Sequence, residues 1–251
     1  MRSTILGTSF AICLALAAPV RGDDQVEMKA LIDKAIKAMG GEDKVLKYKA
    51  VTGKGKGTIY TPGEVTFTEE SSWQPPKQYR FDMELDFGNA KVKQVFVFNG
   101  DKGWLKLGEK TEDMPKEMFE AFNDYFLALR AGLYLAELKA DGVKLSPLGE
   151  VKVDDKPALG VQVSRKGLRD INLYFDKESG LPVKSEVTAK EVFGGDQEVL
   201  HEFFFSEFKN FDGARVFTKM VWVRDGKKYL ERDVTEIKGM DKIEEGTFGK
   251  P

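Results

Sequence analysis

Hydrophobic and polar positions alternate along much of this 251-residue chain. The clearest run spans residues 79–87. Tyr79, Phe81, Met83, Leu85 and Phe87 fall on one face, with Arg80, Asp82, Glu84 and Asp86 on the other. That is the period of a strand with one apolar and one wet side. A weaker alternation through Val65, Phe67 and Trp73 predicts a strand over 64–73, and Pro75-Pro76 turns the chain between the two. Residues 91–98 predict another strand, Asn99-Gly100 a hairpin, and 104–107 its partner. After residue 142 strands are predicted at 143–153, 158–164, 169–176, 182–192, 199–211, 214–225 and 227–238. Their separators are short turn signals such as Lys177-Glu178-Ser179-Gly180, Gly194-Gly195-Asp196 and Asp225-Gly226. Connections this short favour antiparallel pairing.

Two segments break the alternation. Met28, Leu31, Ile32, Ala35, Ile36 and Met39 recur at helical spacing and predict an amphipathic helix over 25–39, stopped by Gly40-Gly41. A short helical turn is expected at 42–47. Further on, Met118, Phe119, Phe122, Tyr125, Phe126, Leu129 and Leu133 form a wide apolar stripe. Asp113 is expected to cap this second helix, with Pro115 in its first turn. The helix runs to about 131 and restarts after Gly132 to reach 139. A sheet of this size must curl to bury its apolar face, and the aromatic stripe needs a partner. The expected fold is therefore mainly β (α+β): a half-open antiparallel barrel of about ten to twelve strands, with an N-terminal helix and a helical lid. No linker or repeat divides the chain, so one domain is expected over 23–251.

Residues 1–22 read differently. A basic start at Arg2, an apolar stretch over 5–17 and the small residues Ala15, Ala17 and Ala18 predict a cleaved signal peptide. The stretch is shorter than the roughly 20 residues a membrane span needs. Cys13 follows Ile12 where a lipoprotein signal requires a small residue, so it is expected to leave with the signal. The cut falls after Ala17 or after Gly22; in the second case Arg2 and Arg21 are lost and the net charge of −2 becomes two units more negative. The mature protein is expected to be periplasmic or secreted, and nothing in its charge draws it to nucleic acid.

Composition narrows the chemistry. At 41% hydrophobic and 32% charged residues, the chain is neither disordered nor a polytopic membrane protein. One His and one Cys exclude multi-histidine metal sites and a disulfide within the chain. His201 falls in phase with Val199, Phe203 and Phe205 and reads as a satisfied, semi-buried structural residue. Neither G-x-S-x-G nor H-E-x-x-H occurs. Gly53-Lys54-Gly55-Lys56-Gly57-Thr58 has no phosphate-loop spacing and no helix after it, so it reads as a twisted strand with its lysines in water. No catalytic residue, metal or cofactor is expected, and the protein reads as no enzyme. What remains is aromatic surface: 18 Phe and 3 Trp. Phe203-Phe204-Phe205 puts large groups on both faces of one strand, which must be covered twice.

Four segments carry a resemblance. Residues 72–81 (Ser-Trp-Gln-Pro-Pro-Lys-Gln-Tyr-Arg-Phe) are similar to a strand–turn–strand of the LolA-like outer-membrane lipoprotein-sorting family. Asn99-Gly100-Asp101-Lys102-Gly103-Trp104 resembles its Asp-Gly…Trp hairpin. Asp176-Lys177-Glu178-Ser179-Gly180-Leu181-Pro182 looks like its late turn. Phe211-Asp212-Gly213-Ala214-Arg215-Val216 resembles a further hairpin of its relatives. The resemblance implies an unclosed barrel with a helical lid that shields acyl chains, without catalysis or cofactor. Pro75 stands where the carriers have an Arg that bonds the closed lid, and Arg80 alternates onto the polar face, so that lock is expected to be missing. Phe217 replaces a Pro expected after Val216.

The expected function is an exported carrier or binding protein for lipids or lipoprotein acyl chains. The ligand would lie between the concave sheet and the helix over 114–139. Strand phase nominates Phe67, Trp73, Phe81, Met83, Leu85, Phe96 and Phe98 as lining, and the helical stripe adds Phe119, Phe122 and Phe126. Phe10, in the signal, and Phe217 fall outside this group. The reading leaves room for an envelope membrane-protein partner and carries no signal for an oligomeric state. Its alternative is a structural, protein-interaction or sensor module of the envelope, with a filled core and no ligand.

Overall fold

A computed structural model of the chain describes residues 22–61, 63–192 and 197–251. The predicted signal peptide, apart from Gly22, and the turn at 194–196 lie outside the described residues. Helix α1 (Gly22–Ala38) and the single turn α2 (Glu42–Val45) precede six strands: β1 (Ala50–Thr61), β2 (Gly63–Gln74), β3 (Gln78–Asp86), β4 (Lys91–Asn99), β5 (Lys102–Leu107) and β6 (Lys110–Asp113). Helix α3 (Lys116–Leu133) and a 3₁₀ turn (Leu135–Lys139) follow. Seven more strands complete the sheet: β7 (Val143–Val153), β8 (Lys156–Arg165), β9 (Ile171–Asp176), β10 (Pro182–Lys190), β11 (Glu198–Phe211), β12 (Ala214–Arg224) and β13 (Lys227–Met240). A 3₁₀ turn at Glu245–Phe248 ends the chain.

All thirteen strands form one sheet in the order β6-β5-β4-β3-β2-β1-β13-β12-β11-β10-β9-β8-β7. Every pairing is antiparallel. Two meanders thus meet at β1 and β13, and β6 and β7 are the free edges. The chain passes from one edge to the other through α3, whose 18 residues reach about 27 Å at 1.5 Å per residue. The half-open, lidded sheet is the expected fold, with more strands than expected. The addition is β6, whose four residues Lys-Thr-Glu-Asp carry no apolar alternation. It also corrects the expected helix cap. Asp113 ends β6 opposite Trp104 and binds Lys250 Nζ at 2.9 Å, while Pro115 takes the cap position with extended backbone.

The main core lies where α1 and α3 cover β7–β12. Met28, Ile32, Ala35, Ile36 and Met39 of the α1 segment are buried there at the expected spacing. Ala121, Ala128, Ala131 and Gly132 give α3 a small-residue face. A Cβ on Gly132 would stand 2.7 Å from the Phe205 ring, so glycine lets the helix sit directly on β11. Phe203 and Phe205 point into this core. Phe204 packs on the opposite face with Val153, Ala158 and Tyr174, which is the double covering expected of that strand. The C-terminal segment places Ile243 and Phe248 against Ala50 and Val97. It also receives Arg80, which pairs with Asp82 at 2.6 Å and donates to Thr247 O at 3.1 Å.

Candidate functional site

Over β1–β4 and β13 the concave face is not filled. A cavity of about 600 Å³ lies between this floor and α3, within the size range of small-molecule sites. Seven of the ten nominated residues stand in its wall: Trp73, Phe81, Met83, Phe96 and Phe98 from the sheet, and Phe122 and Phe126 from α3. The six aromatic ones make one contact network. Phe126 stacks on Phe81 (5.4 Å between centroids) and meets Phe98 edge-on (4.9 Å), while Trp73 meets Phe81 edge-on at 5.3 Å. Such pairs contribute roughly 0.5–1.5 kcal/mol each beyond their buried area, so this network anchors the lid.

The other three stand behind the wall. Phe119 stacks on Phe98 at 5.7 Å, outside the lining. Phe67 is buried flat against β1, its ring 2.6 Å from where a Gly57 Cβ would be. Leu85 lies between Phe67 and Val92 in the strand register.

The opposite wall was not anticipated from the sequence. It comes from Leu230, Arg232, Val234 and Ile237 of β13, from Val216, Phe217, Met220 and Trp222 of β12, and from Val45 and Tyr48. Phe217, set aside above, stacks on Phe205 at 4.4 Å and borders the cavity. A signal did exist in β13, where Leu230, Arg232 and Val234 alternate. At this end Tyr48 donates to Asp212 Oδ2 at 2.5 Å. That bond, with Lys47 beside it, holds the Asp212 carboxyl below its usual range and pins the segment after α2 to the β11–β12 hairpin.

The arginine lock of the resemblance is absent at Pro75, as expected, but a different bond ties the lid. Pro75 supplies no donor, but the neighbouring Pro76 carbonyl accepts from two groups. Tyr79 Oη lies at 2.7 Å, and Arg130 of the lid donates from 3.1 Å while also pairing with Glu137. The arginine is on the helix and the acceptor in the β2–β3 turn, the reverse of the polarity the resemblance implied.

His201 sits behind the cavity at the junction with the main core and is fully buried. Its Nδ1 accepts from Trp222 Nε1 at 3.1 Å, and the Tyr125 ring lies 4.3 Å away. Its Nε2 makes no well-formed hydrogen bond among the described residues, although the ring also interacts with the Ala189 backbone. Burial lowers its pKa to about 4, which keeps the ring neutral. Burial likewise raises the Tyr125 hydroxyl to about 12 and pushes Tyr134 upward. Among the described residues no three His, Cys, Asp or Glu side chains gather as for a metal, and no helix is long and apolar enough to cross a membrane.

The sequence matches no protein-family profile and no curated protein. In structure the chain is similar to a DUF1329 family protein from Desulfovibrio piger (16% identity, TM-score 0.56, covering 88% of this chain and 96% of that one). It is similar to a LolA superfamily protein from Nitrosomonas europaea (10% identity, TM-score 0.57, 88% and 97%). A third likeness is to an outer membrane lipoprotein-sorting protein domain from Vibrio parahaemolyticus (12% identity, TM-score 0.51, 80% and 89%). The chain therefore has the open-barrel fold of the LolA-like structures.

Proposed function

We propose that the protein is an exported, non-catalytic carrier or binder of acyl chains, which it buries between the concave sheet and α3. The observation that carries this reading is the roughly 600 Å³ aromatic-walled cavity beneath the lid. A filled-core scaffold would have no use for such a space. Each methylene moved into it contributes about 0.8 kcal/mol, so a chain of modest length is held without any covalent step. The fold shared with a lipoprotein-sorting domain supports the same reading. The predicted signal at 1–22 supports a periplasmic location, where an envelope membrane protein could deliver or receive the ligand.

Native mass spectrometry with lipid extraction, on protein purified from its own envelope, tests the proposal. Acyl chains at one defined stoichiometry are expected. A clean unliganded mass, together with no uptake of a fluorescent fatty acid, would refute it.

A further inference from the structure

Two charged side chains occupy the apolar phase of the cavity floor. Glu69 shares the inward face of β2 with Val65, Phe67 and Ser71, and its side chain is 5% exposed. Arg232 lines the cavity between Leu230 and Val234 of β13, with its side chain 15% exposed. Strands β2 and β13 are not neighbours. β1 runs between them, so they stand about 9.5 Å apart, two strand spacings. The charges meet because β1 offers bare backbone there. Gly55 pairs with Glu69 on one side and Val234 on the other, and Gly57 pairs with Phe67 and Arg232. A Cβ on Gly55 would stand 3.2 Å from both Glu69 Cγ and Oε1. The carboxylate thus lies across the glycine strand and accepts from Arg232 Nε at 2.5 Å and from Nη2 on the same oxygen. The Gly-Lys-Gly-Lys-Gly run, which fits no phosphate loop, is the track this ion pair crosses.

A buried ion pair is a poor way to stabilise a fold, because desolvating both charges offsets their attraction, and apolar residues of equal volume do as well or better. A site for bare hydrocarbon would gain nothing from it. Arg232 Nη1, Glu69 Oε2 and Ser71 Oγ bond to no other described residue, and none of the three is sealed inside the protein. All three belong to residues of the cavity wall. The pair is neutral as a whole. A ligand carboxylate approaching Arg232 would meet Glu69, whereas an uncharged carbonyl meets a guanidinium N–H donor and a hydroxyl without that repulsion.

Building on the carrier reading, we infer that the cavity selects acyl chains carried as neutral esters or amides, whose carbonyl oxygens accept from Arg232 or from Ser71 on the floor. Free fatty acids and bare hydrocarbon lack that match. Displacement of a bound naphthalene-sulfonate dye by 1-monolauroylglycerol, lauramide, laurate and dodecane tests this. The ester and the amide are expected to displace the dye at concentrations at least tenfold below the other two, and their order separates a glycerolipid from an amide-linked source. In the triple variant Glu69→Leu/Ser71→Ala/Arg232→Met, which strands no lone charge and leaves no donor, the preference is expected to vanish while dodecane still displaces the dye. Equal displacement by dodecane or laurate, or a preference that survives in the triple variant, would overturn the inference and leave the carrier reading standing. No displacement by any of the four would overturn both.

Discussion

The two halves of the sheet are built from similar alternating strands, yet one is filled and the other hollow. Over β7–β12 two helices lie on the concave face. The small residues Ala35, Ala121, Ala128, Ala131 and Gly132 let them approach, while Ile32, Leu173, Phe175 and Phe203 are left with no exposed surface. Over β1–β4 and β13 the aromatic flank of α3 covers only part of the floor, and β1 puts glycine there: Gly53 borders the cavity, while Glu69 and Phe67 lie over Gly55 and Gly57. The hollow therefore follows chiefly from the missing second helix, with β1 contributing glycine and β2 and β13 a charged pair where the filled half has apolar side chains.

The contrast is most directly broken by matched truncations. Phe203→Ala, in the filled half, is expected to cost about 3–5 kcal/mol of unfolding free energy. Phe81→Ala, already bordering empty space, should cost less than half as much. Chemical denaturation of both variants measures this. Equal losses would mean that the two halves are equally packed.

A second expectation concerns the boundary between the halves, where His201 lies between Tyr125 and Trp222. Its folded pKa, lowered by burial to about 4, lies below the ordinary value of 6.5. The native state therefore favours the neutral ring. That stability is fully present above pH 6.5 and is lost as pH falls towards 4, by up to about 3 kcal/mol. Thermal unfolding across this window should show the slope in the wild-type protein and a shallower one in His201→Gln. Superimposable pH profiles would remove His201 from the account.

The smallest effect on stability is expected in the hollow half. Met83→Trp directs extra volume into the cavity, so unfolding free energy should change by less than about 1 kcal/mol. Uptake of a fluorescent fatty acyl ester should fall at least tenfold. Unchanged uptake would place the ligand elsewhere.

Much of the fold was legible in the chain. Strand β7 occupies 143–153 as read, and the aromatic stripe became α3 with a 3₁₀ continuation after Gly132. Strand β6 escaped because four polar residues at an edge owe their conformation to pairing with β5 and to no pattern of their own. The site was legible on one side. Phe81, Phe96 and Phe126 could be placed by phase, since a residue's face follows from strand or helix period. The β12–β13 wall closes against β1 across more than 150 residues of sequence, and nothing local announces that closure. Glu69 and Arg232 each stood in apolar phase, a visible oddity, but their pairing depends on two strands that only the sheet brings near.

By itself, then, the sequence determined which residues face inward, where strands turn, where the two helices run, and that metal or thiol chemistry has almost no residues to work with. Those features follow from backbone period and residue type, which act over a few positions. Tertiary structure alone decided that one half of the concave face is covered and the other hollow, that Arg130 of the lid binds the Pro76 carbonyl, and that a buried ion pair crosses a glycine strand. Each of these depends on what packs against a face from far along the chain, and a face's polarity does not specify its partner.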